Sequence, residues 1–264
     1  MVSLSNHEGG VTIAGLCGFP DETARSPSVS PKRDLPKTVD GAPRAFFGRR
    51  SGKRLHKGQD ALFKEVLPGL EITLGDGALD PETLFPEAQR IALEIGYGGG
   101  EHLALEAETH PETGFIGAEV FSGGIAKMVQ AIDRQGLDNI RLFTDDALKL
   151  LLKLPDASLD EVFLLYPDPW PKTRHHKRRF VSPVTLGELA RVLKPGALFR
   201  FATDIEDYAN WTLAHIIRAP AFSFAPERAG VWHEPFPGWR PTRYEEKARE
   251  EGRAVSFYFT FQRI

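Results

Sequence analysis

Hydrophobic and polar positions follow two periods along the chain: from about residue 90 onward, short apolar runs alternate with stretches of helical spacing. The apolar runs predict six strands, at 90–95, 115–120, 140–144, 161–166, 197–203 and 255–262. Between the second and third runs, Ile125, Met128, Val129 and Ile132 recur at i, i+3, i+4 and i+7, the spacing of one helix face. Strands that alternate with helices predict an α/β fold, with a mostly parallel sheet and helices on both faces.

Further helices are predicted near 58–66, from Glu101 onward, and at 147–154, 183–193 and 204–218. Ser182 and Pro183 provide an N-cap and a first helical residue, and Lys194-Pro195-Gly196 is a stop signal for the same helix. The last apolar run places on one strand face Val255, Phe257, Phe259 and Phe261. No internal repeat is evident, so we expect a single domain over 44–264.

The N-terminal region differs in composition from the rest. Residues 1–43 mix Ser, Pro, Gly and charged residues without periodicity, which predicts a disordered extension. A basic lead-in follows, because residues 32–57 contain nine Lys or Arg and two Asp. A second basic run, at 172–179, contains five Lys or Arg and no acid. The net charge of −3 is mildly acidic, but basic patches can still attract phosphates locally. Each patch alone is equally typical of a solvated face.

Several classes of protein are disfavoured by what the sequence lacks. The single cysteine, Cys17, allows no intrachain disulfide and no cysteine-based metal site. No apolar run approaches the roughly 18 residues of a membrane span, and the N-terminus does not have the pattern of a secretory signal. No cluster of His, Asp and Glu suggests a metal enzyme. The sequence therefore predicts a cytoplasmic protein without metal or membrane partners.

A glycine-rich turn, EIGYGGG from Glu94 to Gly100, follows the first predicted strand. It fails the dinucleotide spacing G-x-G-x-x-G, because residues 101 and 103 are Glu and Leu, and this disfavours a dehydrogenase. Glycines at alternate positions let the backbone approach a ligand, although such a turn alone is equally typical of plain strand-to-helix geometry. Two more acids could accept from a ribose and an adenine: Glu119 ends the second predicted strand, and Asp146 follows the third. This set fits S-adenosylmethionine.

Several motifs then carry a resemblance to a known family. The most specific are PDPWPKTRHHKRR at 167–179 and RPTRYE at 240–245. Shorter ones are LEIG from Leu93, IGAEV from Ile116, Asp146-Ala147, ATD from Ala202 and RRSGKRLHKGQ from Arg49. Together they resemble the bacterial tRNA (guanine-N7-)-methyltransferases over roughly 45–264. The resemblance implies a Rossmann-like class I methyltransferase fold with an antiparallel C-terminal strand, and a target guanine at position 46 in the variable loop of tRNA.

The resemblance also implies site residues. Those expected to bind the cofactor are Glu94, Gly96, Gly98, Glu119, Asp146 and Asp168. Those expected to contact the substrate are Lys172, Asp204, Thr242, Arg243, Tyr244 and Glu245. The basic run is expected to hold RNA phosphates through Arg174, Lys177, Arg178 and Arg179, positioning the RNA without specifying it. His175 and His176 are expected to stay neutral and either to contact RNA or to fill the loop.

The chemistry of guanine agrees with an acid at Asp168. The N7 lone pair is unprotonated near neutral pH, so no general base is needed, and the methylated ring becomes a cation that a carboxylate stabilises. Asp168 could also accept from guanine N1–H and the 2-amino group, so either a chemical or a positioning role is open. The flanking prolines restrict the loop, and Trp170 could stack on a splayed base. The alternative is a Pro-rich turn with a solvated basic tail.

Two rival functions remain. An amino-group methyltransferase is disfavoured because its Asn/Asp-Pro-Pro-aromatic motif is replaced here by Asp168-Pro169-Trp170. A non-catalytic RNA-binding protein would have lost its cofactor carboxylates, yet Glu94, Glu119 and Asp146 are all present. The sequence leaves open whether the protein is a monomer or a homodimer.

Overall fold

The computed structural model describes residues 48–52, 55–252 and 255–264, so the predicted extension 1–43 lies outside the described residues. Seven strands form one sheet: β1 Arg90–Ile95, β2 Thr113–Ala118, β3 Ile140–Phe143, β4 Leu159–Leu165, β5 Leu193–Thr203, β6 Phe222–Ser223 and β7 Phe257–Arg263. Their order is β3-β2-β1-β4-β5-β7-β6. The first five strands pair in parallel, and β7 runs antiparallel to β5 and β6. The predicted α/β architecture with an antiparallel C-terminal strand is confirmed.

Helices cover both faces of this sheet. They are α1 Lys57–Glu65, α2 Leu67–Leu70, α3 Glu101–Thr109, α4 Ser122–Gln135, α5 Ala147–Leu151, α6 Pro183–Val192, α7 Glu206–Ile216 and α8 Arg243–Glu250. Alternate residues of β1 point to opposite faces: Leu93 joins one buried cluster with residues of α5, α6 and α7, and Ala92 joins a second with residues of α3 and α4. In the described ranges, no helix is both long and apolar enough to cross a membrane.

Local sequence signals account for the helix α4 and for the start of α6. The four apolar residues predicted to share a face of α4 are at most 4% exposed, and Gly136 ends the helix with φ +66°. At α6, the hydroxyl of Ser182 accepts from the N–H of Thr185 while Pro183 occupies the first turn. Both predictions are confirmed.

Other boundaries differ from the predictions for reasons of pairing. Lys194-Pro195-Gly196 lies within β5, because four residues of β5 bulge outward opposite Asp160 and the Lys194 ammonium lies 2.8 Å from the Asp160 carboxylate. The predicted strand face of β7 is buried at its three phenylalanines, but Val255 precedes the strand and is 57% exposed. The patterns did not indicate α8 or the two-residue strand β6.

Candidate active site

The carboxyl ends of the parallel strands meet at one edge of the sheet, where ligands bind in open α/β folds. The glycine turn follows β1 and Glu119 follows β2 directly. At the same edge, β4 leads into the segment Tyr166–Trp170 and β5 into Asp204. The parallel pairing of β2, β1, β4 and β5 therefore gathers most of the residues that the sequence marked for function.

The glycine turn and the start of α4 need glycine for two separate reasons. Gly96, Gly98 and Gly100 have φ values of +72°, +56° and +81°, in the left-handed region that L side chains rarely adopt. Gly124, at the start of α4, is required by space, since a Cβ there would lie 2.2 Å from the carbonyl oxygen of Gly98. The helix α4 can therefore approach the turn closely enough to shape the cavity beside it.

Glu119 and Asp146 are held in place by backbone amides. One oxygen of Glu119 accepts from Gly98 N at 2.9 Å, and the other accepts from Val120 N at 2.7 Å and Phe121 N at 2.9 Å. Asp146 caps α5 by accepting from Leu148 N at 3.0 Å. These hydrogen bonds orient both carboxylates before any ligand arrives.

Glu94 is buried and paired with a histidine that the sequence analysis missed. Its Oε2 lies 2.8 Å from Nδ1 of His102, in the first turn of α3. Burial alone would lower the pKa of His102, but the Glu94 carboxylate outweighs it and raises that pKa. The imidazole also packs on Phe163 and Trp239, with ring centroids 4.9 and 5.0 Å away. Spacing gives no signal for this contact, because Trp239 comes from a distant segment.

A cavity of about 470 Å³ opens beside the glycine turn. It brings Glu94, Gly96 and Gly98 together with the segment Thr242–Tyr244, and two lysines missed by the sequence analysis, Lys127 and Lys247, also line it. Glu119, Asp146 and Asp168 do not line this cavity. A larger cavity, of about 560 Å³, lies on the sheet face near Arg90 and Arg200 and contains none of the predicted site residues. Of these two cavities, only the smaller one is therefore lined by predicted site residues.

The hydroxyl of Tyr97 is a polar atom that a ligand could satisfy. Tyr97 lines the smaller cavity and is 5% exposed, yet its hydroxyl has no hydrogen-bond partner in the described part of the chain. Burial, followed by the charges of Glu119 and Glu94, raises the pKa of Tyr97, which therefore remains a donor. Buried polar groups normally find a partner. Together with Glu94 and the glycine backbone, this hydroxyl fits a polar, cationic ligand such as S-adenosylmethionine.

The segment that carries Asp168 is strained and its carboxylate is unpaired. Tyr166 and Trp170 have φ values of +49° and +44°, and non-glycine residues in this region cluster at functional sites. Asp168 is exposed, and across the described ranges its carboxylate has no hydrogen-bond or ion-pair partner. Partial loss of hydration raises the pKa of Asp168. An acid without an internal partner is available to a ligand.

The basic run forms a 3₁₀ helix, Thr173–Arg178, and divides by exposure. Its exposed cations are Lys172, Arg174 and Lys177. The guanidinium of Arg178 lies 4.8 Å from the ring centroid of Trp170, so one face of the predicted stacking wall is already covered. Loss of hydration and then the neighbouring Arg178 lower the pKa of His175, which therefore stays neutral near pH 7. His176 packs on Trp211 instead, with ring centroids 5.4 Å apart.

Arg179 does not share the exposure predicted for the run. Its side chain is 0% exposed and forms an ion pair with Asp207, and its Nε donates to the carbonyl of Pro169 at 2.8 Å. The guanidinium also lies over the rings of Tyr208 and Trp211, at 4.9 and 5.1 Å from their centroids. The structure therefore directs Arg179 into the protein, away from the surface where RNA phosphates were expected.

Glu245 is likewise internal, in contrast to the predicted substrate contact. Thr242 and Glu245 form a capping box at the start of α8: Thr242 N donates to Glu245 Oε2 at 2.7 Å, and Glu245 N donates to Thr242 Oγ1 at 3.3 Å. The Glu245 carboxylate also accepts from Tyr166 at 2.6 Å, from Tyr258 at 2.5 Å and from Trp239 at 3.1 Å. Glu245 is 2% exposed.

Tyr244 and Asp204 do meet at the surface of the site. The Tyr244 hydroxyl lies 3.2 Å from each carboxylate oxygen of Asp204, and Tyr244 is 43% exposed. Its ring packs against Tyr166, with centroids 5.1 Å apart. Arg243, the remaining predicted substrate residue, is exposed and lines the smaller cavity.

Comparison with known proteins places the chain among methyltransferases. Residues 88–258 match the family model described as "Putative methyltransferase". A tRNA (guanine-N(7)-)-methyltransferase of Rhizobium meliloti (strain 1021) is 53% identical over 84% of this chain and 96% of its own length. The protein of the same description from Brucella anthropi is 52% identical over 83% of this chain and 94% of its own.

Solved structures agree with the fold. The 16S rRNA methyltransferase KamB superposes with a TM-score of 0.51 and 18% identity, covering 69% of this chain and 91% of that one. An antibiotic-related methyltransferase superposes with a TM-score of 0.50 and 17% identity, covering 73% of this chain and 97% of that one. These likenesses confirm the Rossmann-like methyltransferase fold.

Proposed function

The chain belongs to the tRNA (guanine-N(7)-)-methyltransferase family, and from this premise we propose that it transfers a methyl group from S-adenosylmethionine to N7 of a guanine in tRNA. The observation that carries the proposal is the 53% identity to a curated member over 96% of that protein's length. The target guanine is proposed to be position 46, in the variable loop. The proposed location is the cytoplasm, as the sequence predicts.

The residues beside the glycine turn would hold S-adenosylmethionine. Glu94 would bind its ammonium, Glu119 its ribose hydroxyls and Asp146 its adenine amino group. Arg243 and Lys127, whose side chains line the same cavity as Glu94, offer positive charge to its carboxylate. When bound, S-adenosylmethionine supplies a methyl carbon on a cationic sulfur; the guanine N7 lone pair forms the new C–N bond as the C–S bond breaks, and the positive charge passes to the base.

Asp168 is the residue that meets the base in this proposal. Guanine N7 needs no deprotonation, so the proposed transfer requires no general base. The exposed carboxylate of Asp168 has no partner within the described chain, so it can accept from guanine N1–H and the 2-amino group. Its negative charge also stabilises the positive charge that develops on the ring, and this attraction strengthens where the bound base excludes water.

The exposed cations around the site would hold the RNA backbone. Lys172, Arg174 and Lys177 project from the segment that follows Asp168, and Arg243 and Lys247 are exposed on α8. Phosphate contacts position an RNA without reading its sequence. The specificity for guanine is therefore assigned to the Asp168 segment.

The test is methyl transfer from labelled S-adenosylmethionine to tRNA transcripts with guanine or adenine at position 46. Label should appear on the guanine transcript alone, and the modified site should be cleaved by the chemistry specific to 7-methylguanosine. Equal labelling of the adenine transcript would show that the target lies elsewhere. If no label appears although S-adenosylmethionine binds, the acceptor is wrong and the RNA-binding alternative gains support.

A further inference from the structure

The peptide next to Asp168 is held from inside the protein by Arg179. The Nε of Arg179 donates to the carbonyl of Pro169 at 2.8 Å, and Pro169 is the residue that follows Asp168. This hydrogen bond closes a loop from 169 to 179 that carries three exposed cations. The final arginine of the basic run thus differs in orientation from Lys172, Arg174 and Lys177, all of which are exposed.

The surroundings of Arg179 satisfy its charge without any RNA. Asp207, in the first turn of α7, forms an ion pair with its guanidinium, and Tyr208 and Trp211 of the same helix pack on it. The side chain of Asp207 is 63% exposed, whereas that of Arg179 is 0% exposed. A phosphate could reach this guanidinium only after α7 or the loop had moved.

The loop requires such a contact because its own residues do not determine its shape. Pro167 and Pro169 restrict φ, and a residue that precedes proline avoids the helical region. However, Trp170 has φ +44°, a conformation that persists only when the surrounding structure imposes it. Arg179 binds the carbonyl one residue earlier, and Arg178 covers the ring of Trp170 at 4.8 Å.

We infer that Arg179 is a positioning residue that sets the Asp168 carboxylate for the base by fixing the Pro169 carbonyl, and that it binds no RNA phosphate. This inference rests on the role proposed above for Asp168. It divides the basic run into two functions: the exposed cations bind the backbone of the RNA, and the buried arginine maintains the geometry of the acid. A displacement of about 1 Å in a reacting group can lower a rate by about 100-fold.

Kinetics and salt dependence distinguish the two roles. Steady-state methylation of the tRNA transcript and direct tRNA binding at several salt concentrations would be measured for wild type, Arg179→Gln and Arg174→Gln. Arg174 is the matched control, because it is an exposed arginine of the same run. Arg179→Gln should lower kcat by about tenfold or more, with the KM for tRNA within about twofold and the salt slope unchanged. Arg174→Gln should weaken tRNA binding and reduce the slope of log K against log salt by about 0.7 to 0.9.

Two further variants distinguish a loss of positioning from unfolding of the protein. Arg179→Lys keeps a cation that can still donate to Pro169 and should recover part of kcat, and Asp207→Asn should lower kcat less than Arg179→Gln does. Thermal melts check that each variant is folded. If Arg179→Gln is unfolded, kcat and the salt slope of Arg179→Lys and Asp207→Asn test the inference instead. The inference is overturned if the Arg179 or Asp207 variants flatten the salt slope as Arg174→Gln does while kcat is retained. An inactive wild type would instead refute the proposed function, and the binding data would still decide the role of Arg179.

Discussion

The motifs PDPW at 167–170 and TRYE at 242–245 each carry one acid, and the two carboxylates have opposite surroundings. Asp168 is exposed with no partner in the described part of the chain, and partial loss of hydration raises its pKa. Glu245 is 2% exposed, and its carboxylate accepts from Tyr166, Tyr258, Trp239 and the N–H of Thr242. The oxygens of the Glu245 carboxylate all accept hydrogen bonds from within the protein, whereas those of Asp168 accept none in the described part of the chain.

This difference separates an acid that holds the structure from an acid that is available to a ligand. Hydrogen bonds from four donors compensate the burial of Glu245, whereas the desolvation of Asp168 is not compensated within the fold. Perturbed and unsatisfied ionisable groups concentrate at functional sites. The two motifs are nonetheless joined, since Tyr166 lies two residues before Asp168 and donates to Glu245 at 2.6 Å. Burial and this hydrogen bond raise the pKa of Tyr166, so it remains a donor.

Removing the charge of Asp168 should have the largest effect. Asp168→Asn keeps the size of the side chain but removes the negative charge that faces the methylated base, so the rate of methyl transfer should fall by about 10²- to 10³-fold. Single-turnover measurements with saturating tRNA would report it. Binding of S-adenosylmethionine, measured alongside, separates loss of the cofactor contact expected from the sequence from loss of the charge that faces the base. A variant that retains more than half of the wild-type rate would show that Asp168 does not act on the base.

Changing Glu245 should affect stability before chemistry. In Glu245→Gln, the new amide NH₂ faces hydroxyl and indole donors that need an acceptor, so the free energy of unfolding should fall by about 1–3 kcal/mol. Urea denaturation would measure this loss. Glu246→Gln, one residue further and exposed, is the matched control and should change the same free energy by less than about 0.5 kcal/mol. Equal stability of the two variants would mean that the network around Glu245 does not hold α8.

Asp168→Asn should be less active than wild type, yet its stability relative to wild type should increase with pH. Because partial loss of hydration raises the folded-state pKa of Asp168 above its unfolded value, the stability that this group contributes is present at low pH and lost as pH rises through the folded pKa. At pH 7 the asparagine variant should therefore melt above wild type, and the difference should shrink as the pH approaches about 4. Thermal melts across this range would test it, and a variant less stable at pH 7 would contradict the uncompensated loss of hydration.

Charge reversals on the two basic segments should have the smallest effects. Arg50 forms an ion pair with Asp145; partial burial opposes ionisation there, but hydrogen bonds from Lys149, the Asp146 N–H and Arg50 hold the pKa of Asp145 at about 2. Arg50→Glu and Arg178→Glu should each weaken tRNA binding. Each should also reduce the slope of log K against log salt by the equivalent of about one phosphate contact. Binding titrations at several salt concentrations would measure both. If neither variant changes the slope, the two segments do not form one RNA surface.

Much of the fold could be predicted because its signals are local. The boundaries predicted for β1 match the observed strand, Arg90–Ile95, since an apolar run followed by glycines needs little context. The helix face of α4 and the Ser182 cap also depend on residues within a turn or two of one another. The edge of the sheet where acids collect follows from the parallel order of strands. The four-residue bulge in β5 and the strand β6 could not be predicted, because both depend on pairing with distant strands.

The sequence by itself determined the fold class, the family and the region of the site, because apolar periodicity and contiguous motifs are local properties. Only the tertiary structure decided what individual charged residues do. Arg174 and Arg179 belong to one run, yet one is exposed and the other is enclosed by α7. His102 and Glu245 acquire their roles from Trp239, Tyr166 and Tyr258. The physical reason is that the function of a charge depends on its partners and its hydration, and both are supplied by segments far away in the chain.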